Sequence, residues 1–179
     1  MSGTRDVAGR RYASAILEIA RDSNTLDSWS EAVEGLGALT AQPGYSEALQ
    51  GDGMTDEAFQ SIVKRVIPDI STEQMNLFRL LRRKNRLILG PSIQSFFQEL
   101  VDEERNIARA MVTSAVELDG TQADDIAGKL SDALGKNIII ETRVDESIIG
   151  GLVIRVGDQL IDASTRGQLS ALKSHIART

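Results

Sequence analysis

The feature that most constrains this chain is a change of hydrophobic period near Asn106. Before it, apolar residues recur at three- and four-residue spacing, the mark of helices with one buried face; after it they alternate one for one, the mark of a strand with two unlike faces. One element cannot carry both patterns. The expected fold class is therefore α+β: an antiparallel helical bundle over 1–105, then a small α/β domain with a mixed sheet over 106–179.

Over 7–20, Tyr12, Ile16, Ile19 and Ala20 share a helix face from which Arg11, Ser14, Glu18 and Arg21 point away. A second helix is expected from Ser28, which stands at capping-box spacing from Glu31, and Trp29, Val33 and Leu36 continue its stripe to Pro43-Gly44, with Gly35 and Gly37 as weak points. Residues 45–49 read as a turn before the loop Gly51-Asp52-Gly53, and Phe59, Ile62, Val63 and Val66 stripe a helix that Pro68 ends. Ser71 and Gln74 open the next, with Met75, Leu77, Phe78, Leu80 and Leu81; Pro91 starts one carrying Ile93, Phe96, Phe97, Leu100 and Val101.

In the second half, Val112, Ser114, Val116 and Leu118 alternate as one strand face. Asp119-Gly120 turns the chain, Thr121 is a candidate cap, and Ile126, Leu130 and Leu134 stripe a helix that Gly135 ends before a strand over 138–144. The stretch ESIIGGLVIRVGDQLIDASTR, 146–166, has the glycines, acids and hydroxyls of a phosphate cradle. Its spacing is that of turns. A phosphate loop needs G-x-x-x-x-G-K-[ST], and no lysine lies between Lys136 and Lys173. Leu152–Val156 and Gln159–Asp162 instead flank Gly157-Asp158, a hairpin pair; Gly150-Gly151 reads as backbone freedom at a strand entrance. Asp162, Ser164 and Thr165, with Gln168 three residues on from Thr165, read as caps of a helix striped by Leu169, Leu172 and Ile176.

Catalytic options are few. With no cysteine and one histidine, thiolate metal sites, disulfides and cysteine nucleophiles are excluded. His175 sits near a helix end with no nucleophile to serve. Glu103-Glu104 and Asp124-Asp125 diverge by about 100° on a helix and form no shared acid/base pair. A formal net charge of −6 argues against general nucleic-acid binding, and the one dense basic run, Arg79, Arg82, Arg83, Lys84 and Arg86, suits the C-terminal end of a helix. No stretch reaches the roughly 20 apolar residues that span a bilayer, and the start MSGTRDVAGRRYA lacks the apolar core of a secretory signal, so a soluble protein is expected.

What is unusual is apolar surface. On the first helix the apolar arc from Ala8 and Ala15 through Tyr12 and Ile16 to Ala13 and Leu17 spans about 200°, roughly twice what one core requires. The helix over 75–81 is similarly broad, from Leu80 through Leu77 and Leu81 to Phe78. Either both are central in the bundle, or they leave a groove for a partner helix.

Four segments in order carry a family resemblance: Arg11-Tyr12-Ala13-Ser14-Ala15; Asn76-Leu77-Phe78-Arg79-Leu80-Leu81 with Asn85-Arg86-Leu87; Val112-Thr113-Ser114-Ala115; and Gly150-Gly151 through Gly157-Asp158 to Ile161-Asp162-Ala163-Ser164. Together they resemble the ATP synthase delta subunit, the family of the mitochondrial oligomycin-sensitivity-conferring protein, over nearly the whole chain. The sequence departs from that pattern at Gly35 and Gly37 and at Lys84-Asn85, where a small residue often precedes the arginine. The resemblance implies a six-helix bundle seated on the catalytic head, holding the N-terminal helix of an alpha subunit between its first and fifth helices. It implies a C-terminal domain that meets the peripheral-stalk b subunits, and a stator role without catalytic residue, nucleotide, cofactor or metal. Tyr12, Ala15 and Ile19 of the first helix and Leu77, Leu80 and Arg86 near the fifth are the residues expected to bind the alpha helix. The isolated chain is expected to be monomeric, without nucleic-acid partners, and to reach the cytoplasmic face of a bacterial membrane only through the complex. Rival readings are a hydrolase built on Asp162, Ser164 and His175, and an RNA-binding or scaffolding adaptor built on 79–86.

Overall fold

The computed structural model describes residues 7–42, 44–51, 53–167 and 169. The chain divides into two compact units, Met1–Val101 and Asp102–Thr179, and is α+β with a mixed sheet.

The first unit is helical: α1 Val7–Asp22, α2 Leu26–Thr40, α3 Tyr45–Gln50, α4 Asp56–Val66, α5 Thr72–Arg83, a 3₁₀ turn Leu87–Leu89, and α6, Gly90–Glu104, most of which lies in this unit. One apolar cluster joins them, including Ile16, Leu36, Phe59, Phe78, Leu81, Ile93 and Phe97. Each such side chain stabilises the unit by about 1.5–3 kcal/mol through burial. The predicted capping box of α5 is present: Ser71 Oγ accepts from Gln74 N–H, and Gln74 Oε1 from Ser71 N–H.

Three local expectations need correction here. Ser28 is not a cap, because α2 begins at Leu26 with Thr25 at the N-cap position; Ser28 Oγ instead accepts from Gln74 Nε2 at 2.9 Å, a long-range bond invisible to local spacing. Residues 45–49 are helical, held by buried Ser46 and Leu49. Gly35 and Gly37 do not break α2. A Cβ on Gly35 would stand 2.5 Å from the Ile67 side chain, and one on Gly37 would stand 1.8 Å from Gln94 Oε1, so both admit close neighbours.

Arg82 braces this unit. Its guanidinium donates to the carbonyls of Leu49 and Met54, pairs with Asp56, and lies 5.2 Å from the Phe59 ring centre. A charge assigned from sequence to a helix C-terminus is thus largely spent on internal contacts.

The second unit is a sheet in the order β2-β1-β3-β4. β1 (Ile107–Ser114) pairs in parallel with β2 (Asn137–Val144) through the crossover helix α7 (Gly120–Leu134), and antiparallel with β3 (Leu152–Val156), which pairs antiparallel with β4 (Gln159–Asp162). Ala110, Val112 and Ser114 of β1 are buried while Arg109 and Met111 are exposed, as alternation requires. The alternation overruns the strand. β1 stops at Ser114, whose Oγ donates to Val116 O while its carbonyl accepts from Asp145 N–H, and Val116 is 69% exposed. α7 is capped by Asp119, not Thr121: the Asp119 carboxylate accepts from Gln122 N–H at 2.8 Å, and the Thr121 hydroxyl donates to it at 2.6 Å. These bonds hold the Asp119 carboxyl below its ordinary pKa, Thr121 contributing most. At the entrance to β1, Asp102 and Arg109 form a two-point ion pair, at 2.6 and 3.3 Å, with Glu141 3.6 Å from the same guanidinium.

Candidate helix-docking groove

Two strips run along α1. Gly9, Ala13, Ile16 and Ala20 face the core; Tyr12, Ala15 and Ile19 lie to one side of it. α5 repeats the arrangement, with Met75, Phe78 and Leu81 buried and Asn76, Leu77 and Leu80 beside them. The side strips of the two helices face each other across an apolar groove of about 610 Å³. Tyr12, Ala15, Ile16 and Ile19 line one wall, Asn76, Leu77 and Leu80 the other, and Trp29 of α2, 3% exposed, reaches the floor. Ile19 is 46% exposed and Leu80 44%, so neither is a core residue. The broad arcs therefore reflect a core strip plus an open strip, and two open strips placed together make a concave apolar surface of the kind that marks an interaction site.

Five of the six side chains singled out from sequence, Tyr12, Ala15, Ile19, Leu77 and Leu80, lie in this one groove. The sixth does not line it. Arg86 instead donates from Nη1 to Tyr12 Oη at 3.1 Å, with its guanidinium carbon 5.9 Å from the Tyr12 ring centre. It orients Tyr12 from just beyond α5. Sequence reasoning missed Ile16, Trp29, Asp22, Ser23, Glu73 and Asn76. Asp22 and Glu73 were recoverable, since they stand one turn beyond Ile19 and one turn before Leu77 on the same strips; Trp29 was not, because it comes from a third helix.

Among the described residues, the glycines, acids and hydroxyls of 146–166 are spent on turns. Gly157 turns the hairpin with φ +56°, and Val156 pairs with Gln159. Gly151, at φ +83°, has no room for a side chain: a Cβ would stand 2.4 Å from Ala163 O. Asp162 accepts from Ser164 N–H, Ser164 Oγ accepts from Gly167 N–H, and the Thr165 hydroxyl donates to Gly150 O. Ser164, rather than Thr165, is thus the cap. Bonding with Ser164 lowers the Asp162 pKa, as expected of a turn acceptor rather than a general acid. Gln168, Leu172, His175 and Ile176 lie outside the described residues. Among the described residues no group of three His, Cys, Asp or Glu side chains could hold a metal ion. The basic run is divided, with Arg82 turned inward and Arg86 on Tyr12.

The family model for the ATP synthase delta (OSCP) subunit matches residues 8–176. The chain belongs to this family. Similar proteins include ATP synthase subunit delta of Laribacter hongkongensis, 35% identical over 164 residues (91% of this chain, 92% of that one), and of Alkalilimnicola ehrlichii, 33% identical over 170 residues (94% and 95%). Among solved structures, a chain of the Toxoplasma gondii mitochondrial ATP synthase hexamer shares the fold, with a TM-score of 0.67 at 15% identity over 96% of this chain and 98% of that one. As a member of the family the protein is a non-catalytic stator subunit of ATP synthase. Among the described residues no helix is long and apolar enough to cross a membrane, in keeping with a peripheral component of that membrane-bound complex.

Proposed function

We propose that this subunit ties the catalytic head to the peripheral stalk at two places. The helical half, 1–105, acts as an antiparallel six-helix bundle that seats the N-terminal helix of an alpha subunit between α1 and α5. The α/β half, 106–179, meets the b subunits on the cytoplasmic face of a bacterial membrane. The observation that carries this reading is the apolar groove in which Tyr12, Ala15, Ile19, Leu77 and Leu80 converge.

The mechanism is mechanical. Rotation of the central shaft drags the head with it, and torque does work on nucleotide only where the head is held. A tie of nanomolar affinity corresponds to about −12 kcal/mol. An amphipathic helix reaches that value when its seat is already formed, because little ordering then opposes binding. Three features support a preformed seat: Trp29 is packed at the floor, Ile16 is buried beneath the wall, and Arg86 holds Tyr12 in place.

The test is titration of the full chain with a synthetic alpha-subunit N-terminal peptide, followed by Trp29 fluorescence, with capture of b subunits measured separately. Saturable fluorescence change lost in a Leu77→Asp, Leu80→Asp variant that still melts cooperatively supports the groove. Full-affinity binding to that variant rejects it, and b-subunit capture by a fragment lacking 106–179 rejects the division of labour.

A further inference from the structure

We infer that the outer edge of β2 is self-complementary and pairs two copies of this chain, antiparallel, about a twofold axis at Thr142. The inference does not depend on the groove. β2 ends the sheet order, and among the described residues no strand pairs on its outer side. Asn137 N–H donates to Asn106 O and Asp145 N–H to Ser114 O, so the odd-numbered residues of β2 turn their backbone groups toward β1. Ile138, Ile140, Thr142 and Val144 turn theirs outward. Edge strands are ordinarily kept from pairing by proline, lysine, a bulge or shortness. β2 runs Asn-Ile-Ile-Ile-Glu-Thr-Arg-Val without proline or lysine, and its register with β1 is unbroken over 8 residues, whereas β4 at the other edge has only 4.

The residues of the edge select the register. Two identical antiparallel strands exchange backbone bonds only where outward groups meet, which places the twofold axis on a residue rather than between residues. An axis at Glu141 sets carboxylate against carboxylate, and one at Arg143 sets guanidinium against guanidinium; like charges directly opposite are destabilising. Axes at Ile139 or Ile140 leave both charges facing uncharged residues, and axes nearer either end of β2 leave only a stub of ladder. At Thr142, Glu141 stands opposite Arg143 of the second copy, and Arg143 opposite the second copy's Glu141. These are pairs without a backbone bond between them, in which the Cα atoms approach to about 4.5 Å and the side chains are closest. Both charges are exposed, and Glu141 keeps Arg109 of its own chain 3.6 Å away. On the other face of the strand, Ile140 covers Val144 of the second copy, a side chain 49% exposed in the single chain.

A second copy is the partner this edge specifies, because Glu-Thr-Arg read in one direction meets Arg-Thr-Glu read in the other, and both halves of the match lie on one strand. The pairing is weak. A ladder over 140–144 buries less than the roughly 1,200 Å² at which stable complexes begin, and a formal charge of −6 on each copy opposes approach. Half-pairing is therefore expected at about 0.1–1 mM chain, and the monomer expected from the sequence holds below that range.

The experiment follows the full chain from about 10 µM to about 1 mM by sedimentation velocity and by NMR-detected hydrogen exchange. The expected result is a mass rising from one chain toward two, with exchange at the Ile140, Thr142 and Val144 amides slowed about twofold and exchange at Ile138 unchanged. Thr142→Pro removes one outward N–H and leaves the bonds to β1, so it should stay monomeric throughout at the parental melting temperature. Glu141→Arg and Arg143→Glu should each stay monomeric alone and pair when mixed, because the mixture restores both opposite-charge contacts. A mass of one chain at every concentration overturns the pairing, as does association that survives Thr142→Pro. Protection of Ile138 without Val144, or a charge-swapped mixture that stays monomeric where the parent pairs, overturns the Thr142 register. Where Thr142→Pro melts early, the charge-swapped mixture decides by the same readings.

Discussion

Ala15→Asp separates a groove wall from a bundle core in one substitution. Ala15 is exposed in the free protein, at the rim beside Tyr12 and one turn from Ile19. A carboxylate there stays hydrated. Helix propensity costs about 0.7 kcal/mol for Ala to Asp. Arg11, four residues before, returns about 0.3 kcal/mol, and Glu18, three residues after, removes a similar amount. The sum is a destabilisation of about 0.5–1 kcal/mol, a few degrees in melting temperature for a unit of this size. Binding should respond differently. A helix seated between α1 and α5 covers Ala15 and strips water from the new charge, while Arg11 is exposed and stands outside the groove wall, which carries no cation. Burying an unpaired carboxylate costs about 3 kcal/mol or more after relaxation, or at least about a hundredfold in Kd. The assay is thermal melting of the variant beside calorimetric titration with the alpha-subunit N-terminal peptide. A variant that unfolds before it can be titrated makes Ala15 a core residue and refutes the argument. One that melts like the parent and binds within threefold of parental affinity removes Ala15 from the groove.

Arg82→Ala should lower stability by about 2–3 kcal/mol in urea unfolding, because two carbonyls and Asp56 lose one shared partner; a change under 0.5 kcal/mol makes the brace dispensable. Gly151→Ala should destabilise the second unit by about 2–4 kcal/mol, read from hydrogen exchange of the β3 and β4 amides, since φ +83° and a backbone oxygen 2.4 Å from the new Cβ both oppose it. Asp119 has a folded pKa below its ordinary 3.8, so its contribution is present above that value and is lost as pH falls through the lower folded one. Asp119→Asn keeps a cap acceptor without the ionisation, and its acid unfolding curve should be flatter below about pH 4; superimposable curves would exclude Asp119 from the acid response.

Much of this protein is legible along the chain because its rules are local. The period change near Asn106 separates helices from sheet, and Ser71 with Gln74 marks the start of α5 through bonds spanning only three residues. Gly157-Asp158 marks the hairpin for the same reason. Spacing also shows that α1 and α5 carry more apolar surface than one core needs, which is the root of the groove. Spacing does not show which part of each arc stays open. That depends on α2 bringing Trp29 beneath both helices, and on Arg86 reaching Tyr12 across 74 positions. The same distinction explains the local errors. Ser28 looks like a cap until Gln74, 46 residues away, donates to it, and Arg82 reads as a helix-end charge until two distant carbonyls and a ring surround it. A side chain's reach along its own helix is written in the sequence; the partner it finds across the bundle exists only once the helices have packed.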